Sequence, residues 1–262
     1  MASPNPIFLL GGIGMILVGV AAIWYAKRLG ATWGILGWGA LIWLLAIILK
    51  TFWGYFMNLL VSRLLYFHLP PAAQKGAFVA YVGLSTAILE CLLAYLLAYL
   101  AMRVWRLWRE AEYSQAVGLG VGFGATEALF LGISGLLTVI LVLTRLAPPD
   151  VQAGFAVWNH AWLWATAPIV ERAALMPIHA LGVVLVFVAA QLGQLRWFWA
   201  SLLYKTIVYG VSAWGRLFFG LNTSLGHLWL MELVMVIFGL IGLWGLIALA
   251  LRSQAGDGST QP

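Results

Sequence analysis

The chain has 262 residues, of which 64% are hydrophobic and only 8% charged, with a formal net charge of +6. A soluble domain carries about 25% charged residues, so a soluble helical core is excluded, because too little polar surface exists to cover it. The basic residues fall between apolar runs, which reports membrane topology and not nucleic-acid binding, and the single cysteine, Cys91, excludes an internal disulfide framework.

Apolar runs of transmembrane length recur along the whole sequence and predict an all-α, polytopic transmembrane bundle of seven spans. In chain order these are 7–27, 34–56, 77–102, 116–143, 167–190, 197–218 and 227–251. The opening "MASPNPIFLL" lacks a basic n-region and its apolar run is long enough to span, so no removable signal peptide is expected. Residues 57–71, "MNLLVSRLLYFHLPP", are too polar and short for a span; they read as an outer interfacial helix ended by Pro70 and Pro71. Residues 151–166 read as interfacial, re-entrant or an eighth span ending at Pro168, and an eighth span would invert everything after it. Residues 1–252 form one transmembrane domain on this reading, followed by a disordered polar tail, 253–262.

With the N-terminus outside, Lys27, Arg28, Arg103, Arg106, Arg109, Arg196 and Arg252 fall inside. Arg63, Lys75 and Arg145 fall outside, with Arg216 near the outer boundary. That bias favours N-out and C-in. The Trp- and Arg-rich "RVWRLWRE" after the third span fits an inner interface, and a prokaryotic plasma membrane is the expected host.

An ionisable residue at a span's centre costs about 3 kcal/mol on insertion scales and marks a candidate functional site. Glu90, Glu127, His179 and Lys205 fall at similar depth on four successive spans, with Glu171 and Arg172 towards the outer end of the fifth. The plainer alternative is that these residues form ion pairs that fix helix register. Glu232 reads as interfacial, and His68, His160 and His227 as residues of outer connections. Cys91 reads as a small buried residue.

The segment "GLGVGFGATEALFLG", 118–132, sets glycines at every second position before Glu127. At 100° per residue Gly120, Gly124 and Glu127 share a face. Gly118/Gly122 and Gly120/Gly124 are each G-x-x-x-G pairs that admit a neighbouring backbone. No strand precedes them, which excludes a dinucleotide loop. The third span carries a matching stripe of Gly83, Ala87, Glu90, Ala94, Ala98 and Ala101. The two stripes predict that the third and fourth spans pack together and bring Glu90 and Glu127 face to face. Pro177, between Glu171 and His179, is expected to kink the fifth span and turn both towards one cavity. Glutamates and a histidine meeting there would suit Zn²⁺, with Glu127 and His179 as ligands, although no H-E-x-x-H occurs.

"ECLLAY" (90–95), "GVGFGATEA" (120–128) and "ERAALMPIH" (171–179), in this order on successive spans, resemble the YhfC family of intramembrane metalloproteases. That family is grouped with CAAX-processing and bacteriocin-processing peptidases, and the likeness runs from about 85 to 215. Glu90, Glu127, Glu171, Arg172 and His179 match the family's pattern. Where the family has E-E-x-x-R-Y, this chain keeps the first glutamate and the tyrosine only. Phe123 stands in the histidine position of G-x-G-H-G-x-x-E, and Lys205 and Tyr209 occupy the polar positions of a later H-x-x-x-D.

The resemblance implies an intramembrane metallopeptidase. Glu90 or Glu127 would activate water, and His179 with a carboxylate would hold metal. Glu171 and Arg172 would orient the site, and the substrate would be a membrane peptide or lipid-modified protein. The departures leave two other readings: a non-catalytic member that binds membrane proteins or peptides in the same cavity, or a small ion- or proton-coupled transporter. In the former, Lys205 pairs with Glu90 or Glu127 and an ion network replaces the metal.

Overall fold

A computed structural model of the protein describes residues 5–105, 107, 112–156, 161–221 and 224–257. Arg106, Arg109 and His160 lie outside the described residues, as do positions 258–262 of the expected tail. The described residues form helices and no strand: a 3-10 turn at Pro6–Phe8, then α1 Leu9–Arg28, α2 Trp33–His68, α3 Pro71–Arg103 and α4 Tyr113–Leu143. They are followed by α5 Pro149–Ala156, α6 Ala161–Leu192, α7 Leu195–Phe218 and α8 Leu225–Asp257. The all-α polytopic bundle is as expected.

Six helices, α1, α2, α3, α4, α6 and α8, are long and apolar enough to cross a membrane. α7 is more polar, yet its direction makes it a crossing element as well. Ala174, Pro177 and Leu181 of α6 meet Gly239, Gly242 and Gly245 of α8 in that order, so these two helices run parallel. The chain must return between them, and the 24 residues of α7 reach about 36 Å at 1.5 Å per residue, enough for a hydrocarbon core of about 30 Å. α3 runs antiparallel to α7 and α4 antiparallel to α6, completing the alternation.

Three boundaries differ from the sequence reading. Residues 57–68 are not a separate interfacial helix. They continue α2, because nothing before Pro70 breaks the helix and the side chain of Thr32 caps its start by accepting from the Ile35 N–H. α3 then starts at Pro71, whose fixed φ suits a first helical position. Residues 151–166 do not form an extra span: 151–156 belong to the short α5, and 161–166 open α6, which continues through Pro168 and Pro177. α8 extends to Asp257, past the expected start of the tail.

α6 is the hub. The most apolar stretch of α6 is largely buried, whereas those of the other five apolar helices are about one third buried or less. The glycines of α4 explain how it is reached, and they correct the expected pairing of the third and fourth spans. Gly120 and Gly124 face Ala180, Met176 and His179 of α6, while Gly118 and Gly122 face Ala31, Ile35 and Leu36 at the start of α2. One G-x-x-x-G pair therefore serves each neighbour. The small-residue stripe of α3 is buried as predicted, but against α7, where Gly83 lies on the backbone of Thr206 and Gly210. α3 packs on α7, α2 and α6 rather than on α4.

At one end of the bundle cations and indoles cluster. The Lys27 ammonium donates to the Ala31 carbonyl at 2.7 Å and lies over Trp33, while Arg28 lies over Trp24 and Arg196 over Trp197. Gln115 donates to the Gly30 carbonyl, which ties the start of α4 to the α1–α2 turn.

A Cβ at Gly120 would come within 2.6 Å of the Ala180 Cα, whereas at Gly124 it would meet the Met176 sulfur at 3.2 Å. Backbone cannot yield as a thioether can. Gly120→Ala is expected to destabilise by about 1–3 kcal/mol despite its better helix propensity, and Gly124→Ala by clearly less. Thermal unfolding of the two variants in one detergent checks the order.

Candidate intramembrane ion site

Glu90, Lys205, Arg172 and His179, all buried, and their partners form two joined clusters around α6. In the first, Glu90 of α3 is almost wholly buried, at 1% exposure. Its Oε1 accepts from the Lys50 ammonium at 2.6 Å, and its Oε2 from the Lys205 ammonium at 2.7 Å and from the Tyr209 hydroxyl. The aliphatic stem of Lys205 crosses the open face of Gly182, and its ammonium sits 4.9 Å from the centre of the Phe123 ring. Both oxygens of Glu90 are thus occupied by donors from α2 and α7.

In the second cluster Glu127 of α4 accepts from Arg172 at 2.5 Å and from the Trp43 indole at 3.2 Å. The other arm of Arg172 reaches Glu171 at 2.9 Å, and Arg216 reaches the same Glu171 oxygen at 2.9 Å. His179 Nε2 lies 3.1 Å from Glu127 Oε2, yet not along a hydrogen-bonding direction: neither ring nitrogen has a hydrogen-bond partner. The imidazole packs on Phe123, ring centres 5.0 Å apart. Phe123 therefore touches both clusters, through the Lys205 ammonium of the first and the His179 imidazole of the second.

The structure brings together all six residues singled out in the sequence: Glu90, Glu127, Glu171, Arg172, His179 and Lys205. It also resolves which acid Lys205 joins, namely Glu90. Glu171, Arg172 and His179 line one cavity of about 230 Å³ together with Lys50, Glu127 and Tyr209. Lys50 was missed, although the signal was present: a lysine following the apolar run "ALIWLLAIIL" is an ionisable residue within a span. Trp43 carried no comparable signal, because indoles are common in such helices. Glu232, read from the sequence as interfacial, has a side chain buried on α8. Cys91 is buried as expected, its sulfur 3.4 Å from the Ser201 hydroxyl, and His68 and His227 are exposed.

This donor set does not fit the zinc that the resemblance implies. A zinc site takes three protein ligands with one position open. Among the described residues no group of three or more His, Cys, Asp or Glu side chains is placed to share an ion. Glu127 and His179 do adjoin, but Arg172 and Trp43 hold the carboxylate, and Lys50 and Lys205 saturate Glu90. Lys50, Arg172 and Lys205 are paired with the glutamates that would be candidate donors here among the described residues. A dication there would meet repulsion in a low-dielectric setting, where charge interactions are strong.

No curated protein and no solved structure matches the chain. A family profile does, for the YhfC intramembrane metalloproteases, over residues 14–235. The matched region takes in both clusters and six of the seven long helices in full or nearly so. The chain therefore belongs to the YhfC intramembrane metalloprotease family.

Proposed function

We propose that this chain is a metal-free member of its family, which binds a membrane-embedded peptide or lipid-modified protein in its intramembrane cavity. The observation that carries the proposal is the double occupation of Glu90 by Lys50 and Lys205, with the Lys205 ammonium against Phe123. Phe123 and Lys205 stand at the two positions where the family pattern has histidines. One departure removes a donor and the other supplies a cation.

The cavity suits an unwound stretch of membrane peptide. Lipid offers no donors to backbone carbonyls, so a locally unwound segment is tolerated only where protein satisfies it. Lys50, Tyr209 and Arg172 line such a space. Glu90, bound by two ammonium groups and a phenol, is poorly suited to relaying protons, which counts against the transporter reading. The cationic, indole-rich end of the bundle fits the inner face of a prokaryotic plasma membrane, with the N-terminus outside and the C-terminus within.

One observation favours a second reading, hydrolysis without metal. His179 lies 3.1 Å from Glu127, both line the cavity, and the imidazole Nδ1 is unpartnered. That pair has the composition of a general base and its orienting carboxylate.

Elemental analysis of the purified wild type, after incubation with zinc and washing, is expected to show no stoichiometric metal. A tightly held zinc, lost in His179→Gln, would overturn the metal-free assignment. Cleavage of membrane peptides that survives chelator but is lost in His179→Gln would select the second reading. Phe123→His combined with Lys205→His places imidazoles around His179 and Glu127 and is expected to gain about one zinc per chain.

Stability checks the ion network separately. Glu90→Gln leaves the buried Lys205 ammonium and the part-buried Lys50 ammonium without their anion and is expected to cost about 3–5 kcal/mol. Lys205→Met leaves Glu90 paired with Lys50 and is expected to cost less. Reversible unfolding in mixed micelles measures both, and an equal loss in the two variants would show that Lys50 does not hold Glu90 by itself.

A further inference from the structure

A second cavity, of about 330 Å³, lies among α1, α4, α5, α6 and α8. Its lining combines three aromatic side chains, Phe8, Phe155 and Trp164, with two carboxylates, Glu171 and Glu232. No lysine, arginine or histidine is among its described lining residues. The two carboxylates differ in their partners. Glu171 is already bound by Arg172 and Arg216. Glu232 is only 6% exposed, and its Oε2 is buried with no hydrogen-bond partner among the described residues. It also borders an adjoining space of about 320 Å³, whose wall holds Leu228, Met231 and Met235 together with Arg216, the partner of Glu171.

A buried carboxyl group without a partner is costly, and the apolar neighbours of Glu232 on its own helix supply none. We infer that this cavity binds a primary ammonium group carried on an apolar chain. Glu232 takes the ammonium, and the aromatic rings with Met15 and Val139 take the chain. Aromatic faces attract organic cations, and ligand sites of this volume pair an apolar lining with a few polar groups. A divalent metal ion is a poor occupant, since it needs several free oxygen donors and Glu171 is committed to two arginines. An anion would meet two carboxylates. The site meets the Glu127 cluster at Glu171, which lines both cavities, but the ammonium is taken by Glu232 and the inference does not rest on the metal-free reading.

Free long-chain amines and the headgroup of an aminophospholipid both present this chemistry. The test is thermal unfolding of the full chain in phosphatidylcholine nanodiscs, titrated with dodecylamine or with dodecanol. A saturable rise in Tm is expected with the amine and not with the alcohol. Glu232→Gln is expected to raise the half-saturating amine concentration about tenfold or more, as losing one side of a buried charge pair does. Leu228→Arg sets a guanidinium one helical turn from Glu232 and is expected to abolish the response with both carboxylates intact. That variant decides the matter should Glu232→Gln fail to fold. Replacing part of the phosphatidylcholine with phosphatidylethanolamine separates the sources: a raised Tm with no further amine response assigns the lipid headgroup, and an unchanged amine response assigns a free amine. An alcohol response equal to that of the amine, or an amine response retained in folded Glu232→Gln or in Leu228→Arg, overturns the inference.

Discussion

A carboxylate buried within an apolar bundle has to keep a cation within reach, and Glu90 keeps two. Its ammonium partners come from different helices, Lys50 from α2 and Lys205 from α7, so one side chain on α3 fixes the relative register of three helices. A slip of one residue in any of them would turn an ionised group towards lipid at a cost of several kcal/mol. The stripe of glycine and alanine on α3 lets α7 come close enough for this. With Gly83 against the backbone of Thr206 and Gly210, Lys205 and Tyr209 arrive at the level of Glu90.

The second cluster depends on a different close approach. Gly120 and Gly124 admit the backbone of α6, which sets Arg172 and His179 against Glu127. The same helix gives its other glycine pair to α2, whose Trp43 then reaches Glu127 as well. Glycine weakens an isolated helix by about 1 kcal/mol per residue. In α4 that loss is the condition for seating one helix between two others, with an arginine–carboxylate pair at the contact. The two clusters share α6 as their floor, which accounts for the burial of its most apolar stretch.

The fold class and the central ionisable residues of the site were legible in the sequence, because such residues stand out against an apolar background; Lys50, Trp43 and the role of Arg216 were not. Partnership was not legible. The spacing of small residues tells how closely a face can be approached but not by which helix, so the stripes on α3 and α4 were matched to each other when they serve α7, α6 and α2. The same limit hid the environment of Glu232. Its position near a helix end looked interfacial, and only the packing of α8 against α6 and α7 buries its side chain. The polar run after residue 56 was misjudged for another reason. Polarity argues against burial, not against helicity, and Ser62 answers its own turn by donating to the Leu59 carbonyl, so α2 continues to the prolines.

Phe123 and Lys205 look in sequence like two separate losses from the family pattern, and in space they are one change. An ammonium in this bundle needs an anion and a surface that tolerates it. Glu90 supplies the first, and the face of Phe123, 4.9 Å from Lys205 Nζ, supplies the second. A histidine at position 123 beside Lys205 would set an imidazole against a fixed cation and gain nothing from it. A phenylalanine without the lysine would leave Glu90 to Lys50, whose side chain is the more exposed of the two. Each residue makes the other tolerable, so the pair should be strongly coupled in stability: the loss from replacing both should differ from the sum of the single losses, as for side chains in direct contact. On the reading proposed above, this pair takes the place of two histidines of the family pattern, while the glycines that set the helix spacing and the glutamates and His179 of that pattern are all kept.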